Sequence, residues 1–149
     1  MIKRLSVCVC LLAAVSCSKS NSNSSPTTPT IVNVAGRWSG TIQYTQGETL
    51  RVDDAVAMTL AQSGSTVTGT WNTTTGVTRQ GTVSGSVNTD SFSGNFTYNS
   101  TSAGGFACTG SMVVTGTVFS SGNLIWSSPV VVENCTNPPT NVTFNVVKQ

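Results

Sequence analysis

Gly81-Thr82-Val83-Ser84-Gly85-Ser86-Val87 and Phe92-Ser93-Gly94-Asn95-Phe96-Thr97-Tyr98 are two neighbouring stretches in which the residue type alternates at every position. One set of alternate positions holds Gly, Val or an aromatic residue, and the other holds Ser, Thr or Asn. Because successive side chains of a β-strand point to opposite faces, this alternation predicts strands with one apolar and one polar face. Glycine recurs on the apolar face, where it lets a sheet bend tightly or lets a bulky cross-strand neighbour fill the space.

The same alternation extends from Ala35 to the end of the chain and predicts eight strands and no helix. The predicted strands are 36–44, 54–62, 66–71, 79–88, 91–99, 106–119, 123–132 and 141–148. Tight connections alternate with longer ones, so an up-and-down meander collects all the tight turns at one end and all the long loops at the other. The sequence therefore predicts an all-β, eight-stranded antiparallel up-and-down β-barrel with a closed end and an open end.

The hairpins can be tested by whether their apolar faces coincide. A two-residue turn at 63–64 pairs Leu60 with Val67, and the next tight turn pairs Val83 with Phe96. In both hairpins the apolar residues then share one face, as a common core requires.

Five cysteines indicate one disulfide bond. Cys8 and Cys10 lie in the N-terminal apolar stretch, and Cys17 follows it. The N-terminal sequence, described below, is expected to be an export signal that removes Cys8 and Cys10 and a lipidation site that uses Cys17. Cys108 and Cys135 then remain as an even pair in an exported domain, and we expect them to be joined.

The hairpin that carries this disulfide leaves one register open. A turn centred on 121–122 places the two cysteines opposite each other, but it turns Ile125 inward and Trp126 outward. Pro129 cannot donate to a strand ladder, and a β-bulge near it would return Trp126 to the core.

The N-terminus has the organisation of an export signal. Lys3 and Arg4 precede the short apolar stretch 5–15, and residues 1–16 are expected to be a signal peptide. The segment Leu12-Ala13-Ala14-Val15-Ser16-Cys17 resembles the lipobox of bacterial lipoproteins. This resemblance implies cleavage before Cys17, a lipid on Cys17 that anchors the chain to a membrane, and a location in the cell envelope. The residue after Cys17 is Ser18 and not Asp, which by the sorting rule of enterobacteria favours the bacterial outer membrane.

A Ser/Thr/Asn/Pro-rich segment follows the predicted lipidation site. Residues 17–34 are expected to be the lipidated cysteine and a disordered linker, and residues 35–149 the barrel. Loss of Lys3 and Arg4 with the signal leaves five basic and five acidic residues. With no basic surface predicted, we expect no nucleic-acid partner.

Gly36-Arg37-Trp38 opens the first predicted strand, and with the loop pattern it resembles the start of a lipocalin-like, calycin-type barrel. In lipocalins the Trp of this motif packs at the closed end beneath a basic residue from the last strand. The resemblance implies that role for Lys148, because the last strand closes against the first. A cation over an indole ring contributes about 0.5–2 kcal/mol.

The residue types give no support for catalysis. The chain has no histidine, and its two domain cysteines are expected to be bonded. Asp53 and Asp54 are the one acidic cluster, but adjacent strand residues point apart, and we expect a solvated loop there. We therefore expect a non-enzymatic protein with no catalytic residue, no metal and no cofactor.

The barrel interior is the remaining candidate site. Its expected inward residues are Trp38, Tyr44, Val56, Met58, Leu60, Val67, Trp71, Val83, Phe92, Phe96, Tyr98, Met112, Val114, Phe144 and Val146. One hypothesis is a small hydrophobic ligand in an apolar pocket at the open end, lined by Tyr44, Val56, Trp71, Tyr98 and Met112. The alternative is a filled barrel that acts as an envelope or surface interaction module, binding a protein or glycan through its long loops.

Overall fold

The computed structural model describes residues 30–47, 50–101, 105, 107–135 and 137–149. Its strands are β1 (Gly36–Gln46), β2 (Leu50–Ser63), β3 (Thr66–Thr73), β4 (Arg79–Asn88), β5 (Ser91–Thr101), β6 (Ala107–Val118), β7 (Asn123–Glu133) and β8 (Pro139–Lys148). Each strand pairs antiparallel with the next, and β8 pairs with β1, so the sheet closes into a barrel. The described residues contain no helix, and the predicted eight-stranded up-and-down barrel is confirmed.

The interior is packed with the apolar side chains of the alternating pattern. Every residue of the expected inward set is buried. Phe92 stacks on Trp126 with ring centroids 4.1 Å apart, and Phe96 meets Trp126 edge-on at 5.7 Å. Trp71 meets Phe144 edge-on at 5.6 Å. These rings form a continuous aromatic cluster across the barrel, which is the arrangement that aromatic side chains prefer.

Glycines on the inner face make room for these rings. Gly110 lies opposite Tyr98, and a Cβ on Gly110 would overlap the Tyr98 ring. A Cβ on Gly94 would lie 2.5 Å from Cζ of Phe92. The space beside these glycines is therefore occupied by neighbouring aromatic side chains and is not open.

Six of the eight strands are longer than the sequence pattern indicated, whereas β4 has the predicted bounds and β6 is shorter. β2 begins at Leu50, which pairs with Gln46, so only residues 47–49 connect it to β1. The other connections span two to five residues. The expectation of long loops at the open end was wrong for the first connection, because strand pairing continues to the rim of the barrel.

Two hairpins test the predicted registers. In the β4–β5 hairpin, Val83 pairs with Phe96, as predicted. In the β2–β3 hairpin, Leu60 pairs with Gly69 and not with Val67, so the predicted register was wrong by two residues. A shift of two leaves every side chain on its predicted face, which is why the burial pattern still held.

The β6–β7 hairpin contains a β-bulge, whose presence the sequence did not decide. Near the turn, Gly116 pairs with Trp126. Farther from the turn, Met112 pairs with Val131, so β7 has one more residue than β6 between these two pairs. Pro129 lies in that segment. Trp126 is fully buried and Ile125 is 43 % exposed. The register without a bulge was wrong for these two residues, and the bulged alternative is confirmed.

The disulfide between Cys108 and Cys135 is present, with Cα atoms 5.7 Å apart. It ties the start of β6 to the segment after β7. The register on this side of the bulge is the predicted one, in which the two cysteines lie opposite each other.

Residues 32–34 close one end of the barrel. The Val32 amide donates to the Thr89 carbonyl at 2.8 Å, and the buried Val34 donates its amide to Oε1 of Gln62 at 2.7 Å. Nε1 of Trp38 donates to the Val34 carbonyl at 2.8 Å. This part of the predicted linker 17–34 therefore packs with the barrel. The predicted signal peptide 1–16, Cys17 and the linker as far as residue 29 lie outside the described residues.

Paired substitutions test the bulged register. We expect Trp126→Ala to lower the free energy of unfolding by about 3–5 kcal/mol, because it removes a large buried ring. Ile125→Ala is the control, with an expected loss of less than about 1 kcal/mol at an exposed position. Denaturant unfolding of both variants measures the difference, and equal losses would contradict the register.

Candidate functional site

The five residues predicted to line a ligand pocket are all buried in the barrel. Tyr44, Trp71, Tyr98 and Met112 line one common cavity, and Val56 does not. The cavity has a volume of about 10 Å³, which is at the lower limit for one water molecule. The described side chains therefore leave no space in this cavity for an organic ligand.

Two charged side chains inside the barrel were missed by the sequence reasoning. Arg79 on β4 is 3 % exposed, and Asp54 on β2 is 4 % exposed. Asp54 was expected in a solvated loop, and that expectation was wrong because β2 begins before it and turns it inward with Val56. Asp53 points outward, as expected, and pairs with Arg51 at 3.6 Å. The alternation of the sequence could have predicted this burial. Asp54 and Arg79 occupy positions that, by the period of two, share the inward face with the apolar residues that follow them in β2 and β4.

Tyr44 joins these two charges. Its hydroxyl donates to Oδ2 of Asp54 at 2.8 Å and accepts from Nη1 of Arg79 at 2.8 Å. Nη1 of Arg79 also lies 3.9 Å from Oδ2 of Asp54. The guanidinium carbon lies 4.5 Å from the ring centroid of Tyr44 and 6.0 Å from that of Tyr98. The buried cation is thus held by a carboxylate, a hydroxyl and two aromatic rings, which offset its loss of hydration.

The β3–β4 connection covers this cluster. Gly76 has φ of +67°, and a Cβ there would overlap the Asp54 carboxylate. Thr73 donates its hydroxyl to the Val77 carbonyl at 2.7 Å and accepts from the Arg79 amide at 2.8 Å. A glycine at this position therefore allows the loop to lie directly over the charge pair. The loop closes this side of the open end of the barrel, which we refer to as the mouth.

A second polar cluster lies on the other side of the mouth. The Tyr98 hydroxyl donates to Oε2 of Glu133 at 3.2 Å, and Ser100 donates to Oε1 at 3.0 Å. Burial raises the pKa of the Tyr98 hydroxyl, and the negative charge of Glu133 raises it further. Burial also raises the pKa of Tyr44, although its contact with Arg79 opposes the shift.

Glu133 also lies beside the disulfide. One oxygen of Glu133 and the sulfur atoms of Cys108 and Cys135 lie within 4.8 Å of one another. The sulfurs are bonded to each other and the carboxylate accepts from Tyr98 and Ser100, so these atoms are engaged within the protein. In this arrangement the polar side chains at the mouth bind one another and seal the interior, although Nε of the buried Arg79 has no protein partner.

The structure brings Trp38 and Lys148 together at the closed end. They lie opposite each other on β1 and β8, and Nζ of Lys148 is 5.6 Å from the Trp38 ring centroid. Nζ also donates to the Asn33 carbonyl at 3.4 Å. The pair therefore packs against the segment that crosses this end of the barrel.

The outer face carries the remaining concave surfaces. A groove of about 550 Å³ crosses β4–β7 and is lined by Gly81, Thr82, Thr97, Tyr98, Asn99, Thr109, Gly110, Ser111, Val132, Glu133 and Asn134. A second groove of about 400 Å³ lies at the bulge, between β6 and β7, and Val113, Pro129, Val130 and Val132 contribute to it. These outer grooves are far larger than the interior cavity.

The comparisons with known proteins gave no match to a family model, to a curated protein or to a solved structure. The closed antiparallel barrel is compatible with a lipocalin-like fold. Within the described ranges, no helix is long and apolar enough to span a membrane.

Substitution of the interior charges tests the buried cluster. We expect Arg79→Met to lower the free energy of unfolding by about 3–5 kcal/mol, because it leaves the Asp54 carboxylate buried without its cation. The double variant Asp54→Leu/Arg79→Met should lose less than the sum of the two single variants, since no charge then remains inside.

Arg51→Met is the matched control for this experiment, because its partner Asp53 is exposed. We expect a loss of less than about 1 kcal/mol there. Denaturant unfolding near neutral pH measures all four variants, and strict additivity of the two interior substitutions would contradict the proposed coupling.

Alkaline pH should weaken the fold through the two tyrosines of the chain. At pH values below 10.0, the ordinary pKa of tyrosine, the folded and the unfolded chain both keep the phenol proton. The contribution of the tyrosines to the free energy of unfolding is then fully present. Above it the unfolded chain releases the proton while the folded chain retains it, so the free energy of unfolding falls as pH rises.

Denaturant unfolding from about pH 8 to about pH 11 measures this fall. In Tyr98→Phe we expect the free energy of unfolding to fall less steeply with pH than in the wild type, because one of the two phenols with a raised pKa has been removed. An unchanged slope would show that Tyr98 does not carry the effect.

Proposed function

We propose that this chain is a non-enzymatic protein of the bacterial cell envelope, held at a membrane by a lipid on Cys17. Its lipocalin-like barrel is filled by its own side chains and acts as an interaction module through its outer surface. This is the alternative raised by the sequence, a filled barrel that acts as an interaction module. The binding surface that we propose is the outer face of the strands and not the long loops.

The filled interior is the observation that carries this proposal. The aromatic cluster occupies the middle of the barrel, and the Arg79–Tyr44–Asp54 cluster occupies the mouth. The space left between the proposed pocket residues is about 10 Å³, whereas pockets for organic ligands are typically about 300–1,000 Å³. An apolar ligand would have to displace a buried ion pair that the rest of the mouth holds in place.

The path of the chain into the barrel supports the proposed anchoring. Val32 and Val34 bind across the closed end, so the chain reaches β1 from that end. A lipid on Cys17 would then hold the closed end toward the membrane, and the polar linker would keep the barrel in water. The sides of the barrel and its sealed mouth would face other molecules of the envelope.

Native mass spectrometry of the full-length gene product, purified from the exported fraction, tests both parts of the proposal. We expect the mass of a chain that begins at Cys17 and carries covalent acyl groups, with no further mass that is lost on denaturation. A reproducible noncovalent mass would overturn the filled barrel and support the small hydrophobic ligand.

The control is Cys17→Ser, which should lose the covalent acyl mass and its retention in the membrane fraction. An exported wild-type chain without acyl groups would overturn the anchor. Incubation of the wild type with a mixed fatty-acid pool should leave the barrel mass unchanged, and uptake from that pool would again favour the ligand.

A further inference from the structure

A trough crosses the outer face of four strands. Its floor is the backbone of one row of residues that lie opposite one another on β3, β4, β5 and β6, namely Trp71, Gly81, Tyr98 and Gly110. The side chains of Trp71 and Tyr98 are buried in the barrel. Two grooves of about 420 Å³ and about 550 Å³ meet over this floor, and both are lined by Gly81, Thr82 and Asn99. We refer to these joined grooves as the trough.

Both walls of the trough consist of uncharged side chains that donate and accept hydrogen bonds. One wall is Thr70, Thr82, Thr97 and Ser111, and the other is Asn72, Gln80, Asn99 and Thr109. They belong to a wider polar region, because every exposed strand residue of β3, β4 and β5 is Thr, Ser, Asn or Gln. Among the described residues that line the trough, Glu133 alone is charged, and its carboxylate accepts hydrogen bonds from Tyr98 and Ser100.

Three amide side chains stand next to one another in the second wall. Asn72, Gln80 and Asn99 pair across β3, β4 and β5. Asparagine is depleted in strands, so strand formation does not account for Asn72 and Asn99. The Asn72 amide donates to the Thr73 carbonyl at 3.2 Å, and within the described part of the chain neither Gln80 nor Asn99 makes a side-chain hydrogen bond. Each amide carries two N–H donors and a carbonyl acceptor, so most of these groups are available to a ligand.

The chemistry of the walls selects the class of ligand. A nucleic acid, a phosphate group or an acidic peptide is held by cationic side chains, and none lines the trough among the described residues. Protein interfaces are enriched in aromatic residues, Met and Arg and depleted in Ser, and a membrane surface requires exposed apolar side chains. Val132 is the one exposed apolar side chain that the described lining offers. A neutral sugar matches instead, because its hydroxyl groups both donate and accept, as the wall side chains do.

We propose that the trough binds a neutral oligosaccharide laid across β3–β6. Neighbouring strands lie about 4.8 Å apart, so the trough extends about 14 Å and holds several sugar rings in a row. The inference rests on the proposed function, because it names the class of partner for the outer surface of the anchored barrel.

The trough lies in the half of the barrel away from the proposed anchor. Asn72 and Gln80 stand beside the β3–β4 connection at the mouth, whereas residues 32–34 cross the closed end. With the closed end held toward the membrane, the trough is open to glycans of the envelope.

Exposure of the walls sets the expected strength. The wall side chains are hydrated, and a ligand hydroxyl that replaces a water molecule gains only the modest difference between the two hydrogen bonds. We therefore expect weak binding of a single oligosaccharide, with a dissociation constant of about 1 mM or below. Many anchored copies that bind one polymer would hold it more firmly.

A saturation-transfer NMR titration of the purified full-length gene product, in a detergent without a sugar headgroup, tests the inference. The neutral probes are cellotetraose, maltotetraose, mannotetraose and chitotetraose, and tetragalacturonic acid is the charged counterpart. We expect binding of at least one neutral probe. We expect weaker binding of the charged counterpart, because the trough offers it no cation and Glu133 repels it.

Gln80→Ala/Asn99→Ala should weaken binding of the neutral probe about tenfold or more, since two amides that bond the sugar are lost. These side chains are exposed, so the thermal unfolding midpoint should change little. Ser84→Ala/Asn95→Ala is the matched control, because this pair lies opposite on the same two strands and lines neither groove of the trough. We expect the control to bind like the wild type.

Two results would overturn the inference: no saturation transfer to any neutral probe at about 10 mM, or tighter binding of tetragalacturonic acid than of every neutral probe. Equal weakening by the two double substitutions would overturn the trough as the binding site.

A failure of this inference is distinguishable from a failure of the filled barrel. An oligosaccharide with a dissociation constant near about 1 mM leaves the protein during purification. It therefore does not contribute to the noncovalent mass that would overturn the filled barrel, and the substitutions in the trough leave the barrel interior unchanged.

Discussion

The inside of an eight-stranded barrel has to be filled across the strands, and in this protein the pairing of aromatic rings with glycines does so. Tyr98 covers Gly110, and Trp126 lies opposite Gly116. Each ring needs the space that a missing Cβ provides, so ring and glycine have to lie at matching positions on neighbouring strands. This requirement links side-chain packing to strand register, because sliding a strand would place a ring against a Cβ or leave a void.

The mouth of the barrel is also closed by side chains, among them the charged residues Arg79 and Asp54. Buried ion pairs add little net stability, because the loss of hydration offsets their attraction. Arg79 is acceptable inside the barrel since Asp54 and Tyr44 bind it and two tyrosine rings face it. Nε of Arg79 lacks a protein partner. Such a cluster fixes the position of its members and excludes an apolar molecule from the same place.

A sealed interior changes where function is sought on a barrel of this kind. The closed end is crossed by residues 32–34, and the β3–β4 connection lies over Asp54 at the other end. On the proposed function, contacts with other molecules would fall on the outer strands, where residue types vary between regions. The uncharged polar region on β3–β5 favours water, whereas the apolar region on β6–β7 gains from being covered.

The alternation of residues by itself determined the strand count, the expected inward residues outside β7 and the β4–β5 register, in which Val83 pairs with Phe96. These features follow from the period of two within a strand, or from a tight turn beside it. The expected pairing of Cys108 with Cys135 is also observed, but it depends on the bulge, because the pairs nearest the turn are one residue out of the predicted register. The alternation did not distinguish Val67 from Gly69 as the partner of Leu60, because registers that differ by two residues expose the same faces. Only the tertiary structure decided that Trp126 is buried and that Asp54 meets Arg79, since both depend on contacts between strands distant in sequence that exist only in the closed barrel.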